Sequence, residues 1–444
     1  MATTTLARTF TGANGQVNKW TYSFWVKRSG LGVIQVMTAP RYNGNFTGQI
    51  KFTSNDQIEV NDYRNSYLLQ KVTNRRFRDT NGWYHIVVSN DNTVSSPDTK
   101  IYVNGVEETS FATDNEYSQN DTNSFNNDYP NYIGEKGTGD QFDGYMSHFH
   151  FIDGTAYTAS TFGSTDATTG EWKINTTPSV TYGTNGFFIL KDGNSVTDQS
   201  GNSNNWTVDS GTLVDTKDNP SNSYSTSNVL DNGADKAPQF SNGNLTHNVG
   251  SNVWRYVAST LGAFKGKYYC EVKINSMSNG AMLGAGDRDD IDGNHMAANA
   301  YPGGEPLSVG YNSNGNKYLN DNATSYGNSY TANDIIGVAM DIDNGYVYFS
   351  KNGTFQDSGD PTSGSSGTGG IAFPSTSSAT GIKQFIPGLL NCNLSINYGG
   401  GHFGTTAIST NSGNGYAGVE GDSKFNYQPP TGYAALSTKG LNYF

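Results

Sequence analysis

"KIYVNGVEE", from Lys100 to Glu108, decides the fold class, because "YVYFSKNGTFQ", from Tyr346 to Gln356, writes it a second time. Each is an alternating apolar strand, an Asn-Gly pair, and a second short strand. Asn-Gly between alternating runs is the sequence form of a type I′ hairpin, since both central residues of that turn need positive φ. The same alternation recurs along the chain. "WTYSFWVKR" (Trp20 to Arg28) places Trp20, Tyr22, Phe24 and Val26 on one face of a strand. "WYHIVVSN" at Trp83, "GKYYCEVKI" at Gly266 and "FIPGLLNCNLSINYGG" at Phe385 continue it. No long amphipathic helix is evident.

Composition agrees. The 444 residues are 15% charged, 34% hydrophobic and 13% aromatic, with Tyr 28, Phe 22, Gly 54 and Pro 13. Short strands, Gly/Asn turns and aromatic packing mass fit that mix, and helix bundles do not. The fold class is therefore all-β, as sandwiches or barrels. Two strand-rich blocks flank an Asn/Ser/Thr/Asp-rich stretch. The expected division is a first sandwich over 1–174, a connector with short strands over 175–238, a second sandwich over 239–410, and an extended Pro-containing tail over 411–444.

The net charge of −12 and the lack of any long Lys/Arg run exclude a nucleic-acid surface, which needs a basic patch to displace counterions. No apolar run is long enough to span a bilayer, and "MATTTLARTF" at the start has no export-signal pattern. Cys270 and Cys392 sit in strand-like runs and read as two buried free thiols.

The first block resembles a laminin-G/concanavalin-like domain through "YSFWVK" (Tyr22 to Lys27), "WYHIVVSND" (Trp83 to Asp91), "KIYVNGVEE" and "YIGEKGTGDQFDGYMSHFHFIDG" (Tyr132 to Gly154). The second is similar to a SPRY domain through "GKYYCEVKI", "DIIGVAMDIDNGYVYFSKNG" (Asp334 to Gly353) and "FIPGLLNCNLSINYGG". The resemblance implies two concanavalin-type jelly-roll β-sandwiches in series. "YGTNGFFILKDGNSVTDQSGNSNNWTV" (Tyr182 to Val208), "KDNPSNSYSTSNVL" (Lys217 to Leu230) and "FNYQPPTGYAALSTKGL" (Phe425 to Leu441) resemble segments of tailed-phage virion proteins, marine and cyanophage ones among them. The "DQSGNSNNWTV" stretch often opens a laminin-G-like domain. Here it follows one, so it adds edge strands to the first sandwich or forms a small module.

Catalysis has few candidates. Glycanases of this architecture carry Glu-x-Asp-x-x-Glu on one strand. The nearest match is "DIDNGY", with Asp341 and Asp343 but Tyr346 in the sixth place. Two acids must flank the scissile bond, so Asp343-Asn344-Gly345 reads better as a turn. His148 and His150 alternate but lack an evident third metal ligand. "GDRDDIDGNH" (Gly286 to His295) spaces Asp290, Asp292 and Asn294 like the first three ligands of a calcium loop, without its Gly at six or Glu at twelve. A solvated acidic loop is the preferred reading, with no metal, cofactor or catalytic residue assigned.

Binding residues are expected instead at loops of the second sandwich: Asp287, Arg288, Asp289, Asp290, Asp292, Asn294, Tyr301, Tyr311 and Tyr318. Flat rings beside amides and carboxylates suit sugars or a peptide loop. The expected role is a non-enzymatic, tail-fibre-associated virion protein that attaches to host glycan or protein. The alternative is head decoration, and a glycan-degrading enzyme is the weakest reading. Expected partners are other virion proteins and a host surface, with an oligomeric arrangement in the particle.

Overall fold

The computed structural model describes residues 4–11, 18–43, 46–135, 140–191, 195–230, 238–287, 301–304, 306–374, 381–408 and 415–444. It is nearly all β, and it divides into two compact units, Met1–Asp215 and Thr216–Phe444.

The first unit is a sandwich of an eight-stranded and a six-stranded sheet. Lys19–Arg28 sits within the six-stranded sheet between Gly144–Asp153 and Tyr84–Asp91. Trp20, Tyr22, Phe24 and Val26 all face the core. Phe24 stacks on Phe149 at 4.6 Å, and Tyr22 packs on Phe151 at the same distance. The opposite face of that strand is covered too. Trp25 stacks on His85 at 4.7 Å, and Trp172, from the hairpin of Gly163–Thr165 and Trp172–Ile174, lies beside His85 with near-parallel rings 6.0 Å apart. A strand buried on both faces explains why the run holds two Trp and almost no exposed atom.

The connector expected over 175–238 does not exist as such. Phe187–Ile189 pairs with the strand carrying Phe149 and Phe151, and Thr207–Ser210 pairs with Thr5–Thr9. Phe187, Ile189 and Trp206 lie in the first core. The Asn/Ser-rich look of this segment is its hydrogen-bond inventory. Asp198 accepts from the backbone N–H groups of Phe188, Ser200 and Asn204 at 2.8, 2.9 and 2.8 Å. Asn202 and Asn204 both donate to the Gly186 carbonyl, at 2.9 and 2.7 Å. Short polar side chains thus close the loop that seats two edge strands.

The second sandwich is organised by one long strand, Lys267–Asp287. Its first half pairs with Ile335–Asp341 and its second half with Ser308–Asn312, while Lys383–Asn397 runs along both. Register shifts after Ile274 and Met277 mark the change of neighbour. Cys270 and Cys392 are buried free thiols in this core, and burial pushes the Cys392 thiol up to about 12. Neither presents a thiolate at neutral pH.

The expected extended tail is also corrected. Ala434–Ala435 pairs in parallel with Tyr268–Tyr269, and a short helix, Thr438–Tyr443, follows with Ser437 accepting from Gly440 N at 3.1 Å. Phe425, Tyr433 and Leu436 are fully buried. The Pro pair initiates a packed segment because aromatic side chains on both sides of it have a face to cover.

Both Asn-Gly hairpins form, with φ of 49° and 80° at Asn104-Gly105 and 49° and 83° at Asn352-Gly353. They share a further device. Asn104 N–H donates to the His85 carbonyl at 2.9 Å, and its side-chain oxygen accepts from His85 N–H at 2.7 Å. Asn352 does the same with Ile335, at 2.8 and 2.9 Å. Each turn therefore locks onto the preceding strand, which a glycine in place of the asparagine does not achieve.

Candidate functional site

At one end of the second sandwich, three glycines on three adjacent strands create a slot. Gly284 opposes Gly310 across the ladder, and Gly388 opposes Met282. An added Cβ would lie 2.4 Å from Pro302 Cβ at Gly284, 2.7 Å from Pro302 Cδ at Gly388, and 2.2 Å from the Pro302 carbonyl at Gly310. None of the three has left-handed backbone, so space is what excludes a side chain here. Pro302 fills the slot and seats the turn Tyr301–Gly304 on the sheet. Gly303 N–H donates to Ser308 Oγ at 2.9 Å, and Asp321 N–H donates to the Gly303 carbonyl at 2.9 Å.

The seated turn holds a half-buried aromatic shelf. Tyr301 lies 5.6 Å from Trp254 and 5.8 Å, edge to face, from Tyr318. Tyr318 is opposite Gly310 in the next strand, so the slot sets its position. The Tyr301 hydroxyl donates to the Asp321 carboxylate. Asn252 Oδ1, two residues before Trp254, accepts from Asn279 at 3.0 Å and from Asn391 at 3.3 Å. The shelf thus sets ring faces beside amide and carboxylate groups.

The structure sorts the expected binding residues. Tyr301 and Tyr318 come together on the shelf. Tyr311 does not: it is fully buried in the core against Phe349, Tyr326 and Tyr330, because its strand position points inward. Asp287 is also turned inward, accepting from Gly381 N–H at 2.8 Å and pairing with Lys383 at 3.3 Å. Arg288, Asp289, Asp290, Asp292 and Asn294 lie outside the described residues. Trp254 and the three glycines were missed. The signal of the glycines was present, as isolated Gly inside apolar strand runs marks close backbone approach.

Chemistry at the other candidates is accounted for locally. Asp341 is paired with Lys267 at 2.8 Å and accepts from Asn344 N–H at 3.1 Å, while Asp343 accepts from Gly266 N–H at 2.7 Å. Both acids build the turn. His150 is buried, stacks on Phe188 at 3.9 Å and hydrogen-bonds the Tyr182 hydroxyl at 2.9 Å. His148 sits at a bulge with φ 47°, its Nδ1 bonded to Ser147 Oγ. Among the described residues, no group of three or more His, Cys, Asp or Glu is placed to hold a metal. Ser23 and His85 are 2.9 Å apart, as in a nucleophile–base pair. However, Trp172 Nε1–H donates to His85 Nδ1 at 2.9 Å, so the ring proton is on Nε2 and points at Ser23. That tautomer cannot take the serine proton.

Residues 4–160 match the concanavalin A-like lectin/glucanases superfamily, and residues 267–383 match the SPRY domain. The chain joins a laminin-G/concanavalin-like domain to a SPRY domain. The shelf belongs to the SPRY-containing unit, with Tyr301 and Tyr318 inside the matched residues and Trp254 just before them. Among curated proteins, the ATP-dependent RNA helicase DDX1 of Xenopus laevis is 33% identical over 100 residues, which is 22% of this chain. The likeness spans 12% of that relative's length, so its activity stays with the relative. Among solved structures, the SPRY domain of human HERC1 is 18% identical with a TM-score of 0.25, over 34% of this chain and 85% of that one. The TRIM65 PSpry domain is 13% identical with a TM-score of 0.29, over 39% and 89%.

The slot makes a testable demand. Gly388→Ala is expected to displace Pro302 and destabilise the SPRY-containing unit by about 1–3 kcal/mol, as an overpacked site does. Denaturant unfolding followed by hydrogen exchange across residues 301–304 and the second unit reads both effects. An unchanged midpoint would show that the turn is not held by the slot.

Proposed function

We propose that this chain is a non-enzymatic recognition protein of a tailed-phage virion, a tail-fibre-associated adhesin that contacts a host surface glycan or protein. The observation that carries the recognition role is the shelf of Trp254, Tyr301 and Tyr318, held in place by a purpose-cut slot and rimmed by Asn252, Asn279, Asn391 and Asp321. Aromatic side chains with few torsions lose little entropy on binding, and amides adapt to either donors or acceptors. The virion assignment is supported by the segments Tyr182–Val208, Lys217–Leu230 and Phe425–Leu441, which resemble phage virion sequences. The turn roles of Asp341 and Asp343 favour binding over glycan cleavage.

Gold-labelled antibody against the purified chain, applied to intact particles, tests the location. Label at the tail is expected, and label on the heads instead would replace adhesion with decoration. The shelf is tested with Trp254→Ala/Tyr318→Ala, expected to lower retention on host cells at least tenfold with the fold intact. Equal retention would remove the shelf from the function.

A further inference from the structure

The loop between Thr354–Phe355 and Ile371–Ala372 holds Asp360-Pro361, the one Asp-Pro pair in the sequence. Such a bond carries its own nucleophile and leaving group. The side-chain carboxylate reaches its own backbone carbonyl carbon through a five-membered ring, and the proline nitrogen, which has no N–H, departs as a secondary amine. The loop around it is pinned. Asp360 N–H donates to the Thr368 carbonyl at 2.9 Å, the Tyr326 hydroxyl to the Gly369 carbonyl at 3.2 Å, and the Tyr433 hydroxyl to the Pro361 carbonyl at 3.1 Å. Asp360 is exposed to water, while Pro361 is buried.

Both reacting groups of Asp360 are held. Its carbonyl oxygen accepts from Ser363 N–H at 3.0 Å and from Ser363 Oγ at 2.6 Å. Ser363 Oγ in turn accepts from Thr368 N–H at 3.0 Å, which turns its own proton toward the Asp360 carbonyl. Two donors on one carbonyl polarise it and receive the negative charge of a tetrahedral intermediate. The carboxylate accepts from Thr362 Oγ1 at 2.6 Å and Thr362 N–H at 2.8 Å, both at Oδ1. These bonds fold the side chain over the Asp360–Pro361 peptide and leave Oδ2 to attack. They also hold the carboxyl below its ordinary value of 3.8, so it stays ionised further into the acid range. The titratable groups around it are the Tyr348 and Tyr433 phenols, both raised by burial, with Asp341 and Lys267 beyond Tyr433 and Asp357 across the loop.

We infer that Asp360–Pro361 is a self-cleavage site, opened by acid and independent of the shelf. Oδ2 attacks the Asp360 carbonyl carbon, and the new C–O bond closes a five-membered anhydride. The C–N bond to Pro361 breaks, and the proline nitrogen leaves with a proton taken from solvent. Protonation of the freed amine prevents its return. One water then opens the anhydride and leaves Asp360 with two carboxyl groups. Each chain reacts once, so this is processing and not turnover. The nick does not release the second fragment, because Lys383–Asn397 stays paired along Lys267–Asp287 and Tyr433 keeps its bond to Pro361.

The full chain is to be incubated at pH 4.5, with hydrogen exchange checking that the second unit is folded, beside the same chain unfolded in guanidinium chloride at that pH. Mass spectrometry is expected to find fragments 1–360 and 361–444 forming at least fivefold faster in the folded chain, since only the folded loop polarises the carbonyl. The fragments should co-elute in native gel filtration and separate in denaturant. Asp360→Glu, which would need a six-membered ring, is expected to slow scission at least tenfold. Ser363→Ala, which removes one carbonyl donor, should slow it three- to fivefold with the exchange pattern of the unit unchanged. The inference is overturned if the folded chain cleaves no faster than the unfolded one, if the new N-terminus is not Pro361, or if Asp360→Glu cleaves at the unaltered rate.

Discussion

Glu271→Ala is expected to lower the stability of the second unit by about 3 kcal/mol, because it strips the acceptor from several buried donors at once. Glu271 is fully buried on the face of the long strand opposite Cys270 and Val272. Its carboxylate accepts from Asn426 N–H at 2.8 Å, Tyr427 N–H at 2.7 Å and Asn397 Nδ2 at 3.3 Å. Two of these donors belong to the segment that leads into the Pro pair. The variant should therefore loosen that segment first, and limited proteolysis should cut near Asn426 before the domain unfolds. A midpoint shift worth under 1 kcal/mol would mean that Phe425 and Tyr433 hold the segment alone. Burial pushes Glu271 up to about 7 from 4.5. The folded state then keeps a proton that the unfolded state has lost, so this group's contribution falls as pH rises from 4.5 to 7. Glu271→Gln should remove that slope, up to about 1.4 kcal/mol per pH unit.

Such a residue shows where sequence reading stops. The strand "GKYYCEVKI" is legible from its alternation, and so is its SPRY-like character. Glu271 falls on the polar side of that alternation and reads as solvent-facing. Only the return of a segment more than 150 residues later buries it. The same limit left the strands Phe187–Ile189 and Thr207–Ser210 legible as strands but undecided between edges of the first sandwich and a small module, because their partners are remote in sequence. Local signals fared better. Both Asn-Gly turns, the Trp20–Val26 face and the Asp343 turn depend on a few neighbouring residues, and all three follow from spacing. At the candidate site, Tyr301 and Tyr318 were legible as loop and hairpin aromatics. Tyr311 was misread because one position along a strand moves a side chain from rim to core. Trp254 was invisible as a partner because no local pattern links it to Tyr301.

Acid should unfold the first unit before the second. His85 and His150 are buried in the first unit, and burial lowers both, His85 to about 3 and His150 well below its usual value of 6.5. Protonating His85 also sets a proton on Nδ1 against the Trp172 N–H that now donates there. Below pH 6.5 the unfolded chain binds protons that the folded unit refuses, so stability present above pH 6.5 is lost as pH falls. At pH 4.5 the loss is about 2–3 kcal/mol for His85, and His150 adds to it in the same direction. Burial raises Asp62 and Asp143 and offsets part of this at the acid end. In the second unit the terms oppose each other more evenly, since Glu271 gains over 7 to 4.5 while His247, lowered to about 3 by burial, loses. Calorimetry between pH 7.5 and 4.5 should then show two transitions moving apart. The one shifted by Glu271→Ala marks the second unit, and the other should fall more steeply with acid. His150→Phe should cut the steeper slope by close to one proton. If that slope is unchanged, or if the transition marked by Glu271→Ala is the acid-sensitive one, the buried histidines do not govern acid stability.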